Sequence, residues 1–221
     1  MSEITVVIPT KGNPESLRNT LITLEESTDI RYNLIVVLGG DDTETKKILR
    51  QHINKLGEER MKIIIGTWDS SIKAMNAGFK KAKGNVLLTH DDITFFRLYN
   101  RDWMKEIITA AKNPKVGMVT SLNGGGQSGP DYLDKFKWIG TWFTMIPEHT
   151  IKTVGYLDEQ MTTGDDIDYS YRVLRHGYGV AMIDYWVEHH MSNDRTHDKN
   201  MAESDIVKIN GDYFKKKHGF L

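Results

Sequence analysis

The spacing of hydrophobic positions in the first half of the chain predicts an alternation of strands and helices. Short runs rich in Val, Ile and Leu, typical of buried strands, are separated by segments with helical spacing of apolar residues. The predicted strands cover residues 4–9, 33–38, 61–65, 86–90 and 116–121. Helices are predicted from Pro14, over residues 43–56 and over residues 70–82. This order predicts an α/β fold with a mainly parallel sheet covered by helices.

The alternation stops after Ser121, where the chain becomes rich in glycine. Residues 123–130 contain too much Gly for regular structure, which predicts a mobile loop extending to Lys137. Such a loop either covers an acceptor and becomes ordered when a donor binds, or is a connection without function. Beyond it we expect strands over residues 138–146 and 179–183 and helices over residues 148–154, 166–176 and 200–218.

Composition limits the kinds of site that the chain can form. With 29 Lys+Arg against 30 Asp+Glu, the charge is balanced, and no nucleic-acid binding is predicted. There are no cysteines, so a metal would need His and carboxylate ligands. The chain has neither a signal-peptide pattern nor the roughly 20 consecutive apolar residues of a membrane span. We therefore expect a single cytoplasmic domain of 221 residues.

Polar residues lie at the ends of two predicted strands and of a late apolar run. Strand ends of this kind are where ligands gather in open parallel sheets. Pro9-Thr10-Lys11 ends the first strand, His90-Asp91-Asp92 ends the fourth, and His189-His190 follows a late apolar run. Adjacent carboxylates repel unless a cation or solvent offsets their charge. The Asp91-Asp92 pair is therefore either a site for Mg²⁺ or Mn²⁺ or two solvated acids that open a turn.

The two histidines after the late apolar run have two interpretations. Imidazole is an acceptable ligand for Mn²⁺, so His189 is a candidate partner of Asp92 in a mixed nitrogen and oxygen site. Alternatively, both histidines are polar residues that leave a strand. Whether His90 or His190 joins the metal site is left open.

A second acidic cluster occupies Gly164-Asp165-Asp166-Ile167-Asp168. One of these carboxylates is a candidate general base that accepts the proton of an attacking hydroxyl. Equally, Asp165 and Asp166 have the positions of ordinary N-cap and first-turn acids, which the helix dipole favours.

Taken in order, these fragments resemble the family 2 glycosyltransferases of the GT-A fold, from about Thr5 to Ser192. The resemblance rests on Thr5 to Asn13, Ala74-Met75-Asn76-Ala77-Gly78, Ala82-Lys83-Gly84-Asn85, His90-Asp91-Asp92, Val154 to Glu159, and Gly164 to Asp168 with Arg172 and His176-Gly177-Tyr178. It implies a Rossmann-like nucleotide-binding half over residues 1–121, an acceptor and catalytic half over 122–199 and a C-terminal helix over 200–221.

The resemblance also implies an activity and roles for the acidic residues. Members transfer a sugar from a nucleotide diphosphate donor with inversion, by a single displacement that needs one base and one metal. By resemblance Asp92 is the metal carboxylate, with His189 as a further ligand, and Asp91 lies near the donor ribose or sugar. Asp166 is the base and Asp165 its partner, and the cofactor is Mn²⁺ or Mg²⁺.

Two departures from the family pattern concern the metal and the nucleobase. His90 stands where the family has the first Asp of its D-x-D motif, and Leu38 or Gly39 stands where it places a base-binding Asp. Asp41 is a candidate substitute. The expected donor is a UDP-sugar and the acceptor a glycan or other hydroxyl compound. The expected nucleotide-sugar contacts are Pro9, Thr10, Lys11, Asp41, Asp69, Lys73, Asn76 and Asp91.

Two other functions compete with the transferase. A nucleotidyltransferase of the same fold would begin with a Gly-rich loop followed by Arg and Lys, which residues 9–13 lack. A binding module that has lost catalysis is suggested by His90 and by the missing base-binding Asp, but the acids at separate strand ends argue against it. The oligomeric state is left open.

Overall fold

The computed structural model describes residues 3–128, 137–190 and 203–220. Its strands are β1 (Ile4–Thr10), β2 (Asn33–Gly39), β3 (Met61–Gly66), β4 (Asn85–Thr89), β5 (Ile93–Thr94), β6 (Val116–Ser121), β7 (Gly125–Ser128), β8 (Lys137–Ile139), β9 (Phe143–Ile146), β10 (Gly179–Ile183) and β11 (Glu188–His189). Its α-helices are α1 (Pro14–Ser27), α2 (Thr43–Leu56), α3 (Ser71–Phe79), α4 (Trp103–Ala111), α5 (Glu148–Val154), α6 (Asp165–Arg175) and α7 (Glu203–His218).

A seven-stranded sheet forms the centre of the fold, in the order β10-β6-β9-β4-β1-β2-β3. Strands β4, β1, β2 and β3 run parallel to one another, and β6 runs parallel to β10. Strand β9 lies between β4 and β6 and is antiparallel to both. The sheet is therefore mixed and mainly parallel, as the sequence predicts.

Helices cover both faces of the sheet because consecutive side chains of the central strands point to opposite faces. Val6 and Ile8 of β1 pack in one apolar cluster with α1, α2 and α4, whereas Val7 packs in a second cluster with α3 and α6. All three side chains are fully buried. This burial on both faces explains why the central strands are continuous apolar runs without polar alternation.

The β-α alternation predicted for residues 4–121 is confirmed, with one helix added. Helix α4 was not predicted, although its apolar residues have helical spacing. Asp102 caps it by accepting hydrogen bonds from the backbone N–H groups of Met104 and Lys105. Trp103 is fully buried and stacks between the rings of Phe95 and Tyr185. Helix α4 thereby fixes the segment that follows β5 and the segment that precedes β11.

Two predictions for the region after Ser121 are wrong. The glycine-rich segment is not irregular from residue 123 to 128, because a 3₁₀ turn over Leu122–Gly124 leads into β7, which pairs with β8. The single strand predicted over residues 138–146 is two strands, β8 and β9, which belong to different sheets. The part of the predicted loop over residues 129–136 lies outside the described residues.

The C-terminal helix α7 is confirmed from Glu203 onward, and residues 200–202 of the prediction lie outside the described part of the chain. Among the described residues, every helix is too short or too polar to cross a bilayer. The large sheet takes strands from both predicted halves, 1–121 and 122–199. That the whole chain forms a single domain stays a prediction.

Candidate active site

The ends of β1 and β4 bring the first predicted acidic segment into a fixed position. Because the two strands are parallel neighbours, their carboxyl ends lie at the same edge of the sheet. Thr10, at the end of β1, donates a hydrogen bond of 2.6 Å to Asp91 Oδ2. Thr20 of α1 donates to the backbone carbonyl of Asp91 at 2.9 Å. Both the side chain and the backbone of Asp91 are therefore held.

A small antiparallel pair brings the late histidines to the same edge. In β11 and β5, Glu188 lies opposite Thr94 and His189 opposite Ile93. The backbone N–H of His190 donates to the carbonyl of Asp92 at 2.9 Å. This register places His189 Nε2 at 3.2 Å from Asp92 Oδ1. The two residues predicted as metal ligands are thus adjacent in space.

His90 joins these two residues in a cluster that suits a metal ion. One ligand atom each from His90, Asp92 and His189 lies within 4.8 Å of the others. The ring of His190 points elsewhere and contacts Thr94 Oγ1 at 2.8 Å. Of the two histidines left open by the sequence, His90 is therefore the one in the cluster.

The chemistry of this donor set fits Mn²⁺ better than Mg²⁺. Mg²⁺ strongly prefers oxygen ligands, whereas Mn²⁺ accepts imidazole nitrogen together with carboxylate. Burial lowers the pKa of His90 to about 4, although the nearby Asp92 acts in the opposite direction. His90 is therefore neutral near pH 7, which is the form of imidazole that binds metals. The residues present fit a divalent cation of this type.

Trp142 supports the cluster from the connection between β8 and β9. Its ring stacks on the imidazole of His189 at a centroid distance of 4.7 Å, and its backbone carbonyl accepts a hydrogen bond from the N–H of His90 at 3.2 Å. A Cβ atom at Gly140 would lie 2.3 Å from Trp142 Nε1, so this ring position requires glycine there. Trp142 was not predicted from the sequence, where Gly140 inside an apolar run is the available signal.

The second acidic pair lies in the first turn of α6, next to the same connection. Thr141 donates a hydrogen bond of 2.9 Å to Asp165 Oδ2. Asp166 Oδ1 accepts from the backbone N–H of Ile167 at 2.8 Å. Thr141 and Trp142 are consecutive residues, so one short segment contacts both the acidic pair and the histidine–aspartate cluster.

The environment of this pair favours proton transfer. Burial raises the pKa of Asp165 and is also the main cause of the raised pKa of Asp166. The negative charge of Asp165 adds to the effect at Asp166, whose pKa rises to about 7. A carboxylate with a pKa close to the working pH is well suited to act as a general base.

Only some of the nucleotide-sugar contacts predicted at the ends of β1 and β2 lie close to one another. The side chain of Lys11 lies against Gly39, where an added Cβ would be 3.3 Å from the Lys11 stem. Lys11 therefore occupies the space next to the position where the family carries its base-binding Asp. Asp41 is exposed and forms an ion pair with Lys46 of α2. Pro9 lies within β1 and pairs with Val37.

A cavity of about 490 Å³ lies between the end of β3, helix α3 and the segment after α5. Asp69 and Lys73 line it and form an ion pair at 2.7 Å. Trp68 and Glu159 also line it. This cavity contains two of the predicted donor contacts.

Asn76 has a different position from the other predicted donor contacts. It is buried, and its Nδ2 donates to the carbonyl of Leu157 at 2.8 Å and to Glu159 at 2.9 Å. Its Oδ1 accepts from the N–H of Leu157 at 3.1 Å. Both polar atoms of the amide therefore attach α3 to the segment after α5, and we assign Asn76 a structural role.

Comparisons with known proteins agree with this architecture. The model of glycosyl transferase family 2 matches residues 5–177. GalNAc-T7 with UDP, GalNAc and Mn²⁺ has a TM-score of 0.70 at 15% identity, over 86% of this chain and 44% of its own. The mannosyltransferase PcManGT from Pyrobaculum calidifontis, in complex with GDP-Man and Mn²⁺, has a TM-score of 0.66 at 15% identity, over 83% of this chain and 55% of its own.

A third structure, S. aureus TarS 1-349 in complex with UDP, has a TM-score of 0.61 at 15% identity, over 83% of this chain and 59% of its own. The chain thus spans roughly half the length of the structures that it matches. A search of curated proteins found no match. Since the family model covers most of the chain and the matched structures share its fold, the chain belongs to glycosyl transferase family 2 and has the GT-A fold.

Proposed function

We propose that this protein is a metal-dependent, inverting glycosyltransferase that moves a sugar from a nucleotide diphosphate to an acceptor hydroxyl. The observation that carries the proposal is the connection from Gly140 to Trp142, which contacts both chemical groups that the reaction needs. Trp142 contacts the cluster suited to a cation, and Thr141 contacts the pair suited to a base. Both groups therefore contact the same short segment although the sequence separates them, which supports placing them at one site.

His90, Asp92 and His189 would hold the divalent cation, for which Mn²⁺ is the best fit. When bound, such a cation supplies positive charge that neutralises the diphosphate as it leaves. The structures of PcManGT and GalNAc-T7, whose complexes contain Mn²⁺, support this assignment. Trp142 orients His189, as residues behind metal ligands commonly do.

Asp166 is the proposed base. It accepts the proton of the acceptor hydroxyl while the oxygen attacks the anomeric carbon, and a single displacement of this kind inverts the configuration. The raised pKa of Asp166 means that the carboxylate gains a proton readily near neutral pH. Asp165, held by Thr141, lies beside it, and its charge in the ionised form adds to the raised pKa of Asp166.

The donor is proposed to lie along the carboxyl ends of β1 to β4. Lys11 would offset phosphate charge or lie over the base, Asp91 would contact the ribose or sugar, and Asp69 and Lys73 would contact the donor from the cavity side. A UDP-sugar is the expected donor, and the complexes of TarS with UDP and of PcManGT with GDP-Man make both nucleotides worth testing. The acceptor is proposed to be a glycan or another hydroxyl compound, and a cytoplasmic location stays a prediction.

Calorimetric titration of UDP and GDP, each with and without Mn²⁺, tests the proposal. We expect one nucleotide to bind only with Mn²⁺, and Asp92→Ala to abolish this binding. Glu188→Ala is the matched control, because Glu188 is an exposed acid next to His189 but outside the cluster. Binding of neither nucleotide under any metal condition would contradict the proposal and favour a binding module that has lost catalysis.

A further inference from the structure

Helix α7 contacts the chain on both sides of the proposed base. It lies beyond residues 5–177, which the family model matches. On the N-terminal side of the base, the buried Asn210 accepts from the backbone N–H of Thr162 at 2.9 Å and donates to the Thr162 hydroxyl at 2.9 Å. Thr162 comes three residues before Asp165, where the chain enters α6. Asn210 therefore fixes the start of the helix that carries the acidic pair.

On the C-terminal side of the base, α7 neutralises a buried acid. Asp168 is fully buried, and its Oδ1 accepts from Lys217 Nζ at 2.6 Å and lies 2.9 Å from His218 Nε2. Its Oδ2 accepts from Arg172 Nε at 2.8 Å. Lys217 also binds Asp158 at 2.7 Å, in the segment before α6. Removing one member of such a buried network leaves a charge without full compensation.

Aromatic packing holds α7 in this position. Phe214 is buried against the ring of Tyr171 at a centroid distance of 5.4 Å, and Tyr171 also contacts His218 at 4.6 Å. Tyr171 belongs to α6, so these contacts attach α7 directly to the helix of the base. Moving the cationic end of α7 away from Asp168 would therefore also break these aromatic contacts.

We propose that α7 positions the Asp165–Asp166 pair for acceptor activation, with Asn210 and Lys217 as positioning residues. The inference rests on the proposed role of Asp166 as the base. Asn210 sets the backbone position from which the pair projects, and Lys217 balances the charge of Asp168 next to it. Acceptor activation then depends on α7, whereas donor binding at the other edge of the site does not.

The charges around the pair give the direction of the effect. Burial acts to raise the pKa of Asp168, but Arg172 and Lys217 hold it below its ordinary value, so Asp168 is ionised. Its negative charge contributes to the raised pKa of Asp165 after burial. The titratable groups in contact with Asp168 among the described residues are Arg172 of α6 and Lys217 and His218 of α7, with Asp158 reached through Lys217. Removing Lys217 leaves Asp168 less compensated, which raises the pKa of the pair.

The kinetic test compares Lys217→Met with Lys216→Met, the exposed neighbour on the same helix. The readout is hydrolysis of a UDP-sugar or GDP-sugar as a function of pH. For Lys217→Met we expect kcat at pH 7 to fall about three- to tenfold and the acid limb of the profile to move to higher pH. The Mn²⁺-dependent dissociation constant of the free nucleoside diphosphate should stay the same. Lys217→Arg should restore the profile, and Lys216→Met should not change it.

Asn210→Ala is a second variant that carries no change of charge. We expect a lower kcat, an unchanged acid limb and unchanged nucleotide binding, because only the position of the pair is altered. Equal loss of kcat and of nucleotide affinity in both variants would overturn the inference in favour of a general structural role. Wild-type kinetics in both variants would overturn it as well.

A measurement that needs no turnover separates this inference from the proposed function. In a ¹³C NMR titration of the aspartate carboxyl groups, assigned with Asp166→Asn, Lys217→Met should raise the pKa of the pair and Lys216→Met should not. An unchanged titration overturns the inference even if the enzyme is active. If the wild-type protein binds no nucleotide and hydrolyses no donor, the proposed function fails, while the titration still decides whether α7 controls the pair.

Discussion

The molecule contains two adjacent aspartate pairs whose surroundings give them different chemistry. Asp91-Asp92 follows a strand, and its partners are hydroxyl and imidazole groups that suit a cation site. Asp165-Asp166 opens a helix, and its partners are the hydroxyl of Thr141 and the backbone N–H of Ile167. One pair is therefore suited to share a metal and the other to share a proton. An Asp-Asp dipeptide in a sequence does not distinguish the two uses, because they depend on the groups that contact each pair in the folded protein.

The largest expected effect comes from the base. Asp166→Asn should lower kcat by roughly 10²- to 10⁴-fold, the usual contribution of a general base, because the amide cannot accept the acceptor proton. Steady-state hydrolysis of a UDP-sugar or GDP-sugar measures kcat, and calorimetry should show unchanged Mn²⁺-dependent nucleotide binding. Loss of nucleotide binding in this variant would mean that the two pairs do not have separate roles.

Substitution in the metal cluster is expected to weaken metal binding, which the Asp166 variant leaves unchanged. His90→Ala should weaken Mn²⁺ binding by roughly 10- to 100-fold or more, since even residues behind the ligands of metal sites have effects of this size. Titration of Mn²⁺ followed by calorimetry measures the change. His190→Ala is the control, because the His190 ring lies outside the cluster and contacts Thr94. Equal effects of the two substitutions would contradict the placement of the cation.

The pH dependence tests the proposed role of Asp166 without mutation. Asp166 acts as a base only when ionised, and its pKa is raised to about 7 by burial and by Asp165. The rate should therefore rise with pH up to about 7, changing about tenfold per pH unit on the acid side, and level off above it. A pH profile of hydrolysis at saturating Mn²⁺ and donor measures this. A rate that stays constant from pH 5 to 8 would argue against Asp166 as the base.

The smallest effect is expected at the residue that supports the cluster. Trp142→Ala removes the ring stacked on His189 and should weaken Mn²⁺ binding by about tenfold, at the low end for residues behind metal ligands. Trp142→Phe keeps an aromatic ring and should keep most of the affinity. Calorimetry with Mn²⁺ and the nucleoside diphosphate measures both variants. A larger loss for Phe than for Ala would exclude stacking as the cause.

The sequence predicts the first half of the fold well for a physical reason. Strands β1, β2 and β4 are buried on both faces, so each leaves a continuous apolar run, and Pro14 and the cap at Asp42 mark helix starts. Strands β7 and β8 are short, and β7 is largely glycine, so hydrophobic spacing gives no signal for them. Their pairing depends on contacts between distant segments, which no local pattern contains.

The same limit applies to the site. Asp92 and His189 were predicted as ligands because each follows an apolar run, and the structure places them together. The choice of His90 over His190 depends on the register of β11 against β5, and the roles of Trp142 and Thr141 depend on where the chain turns at Gly140. Asn76 was predicted as a donor contact, but its buried partners are visible only in three dimensions.

The pairing of β11 with β5 also determines when the site forms during folding. Thr94 and His190, which meet across this pair, are 96 residues apart in the chain, and contacts between such distant residues form late because closing a long loop costs entropy. During synthesis, the βα units that supply His90 and Asp92 leave the ribosome well before His189 does. We therefore expect Mn²⁺ affinity to report completion of the native topology, so that a chain arrested before β11 would retain helices but would not bind the ion.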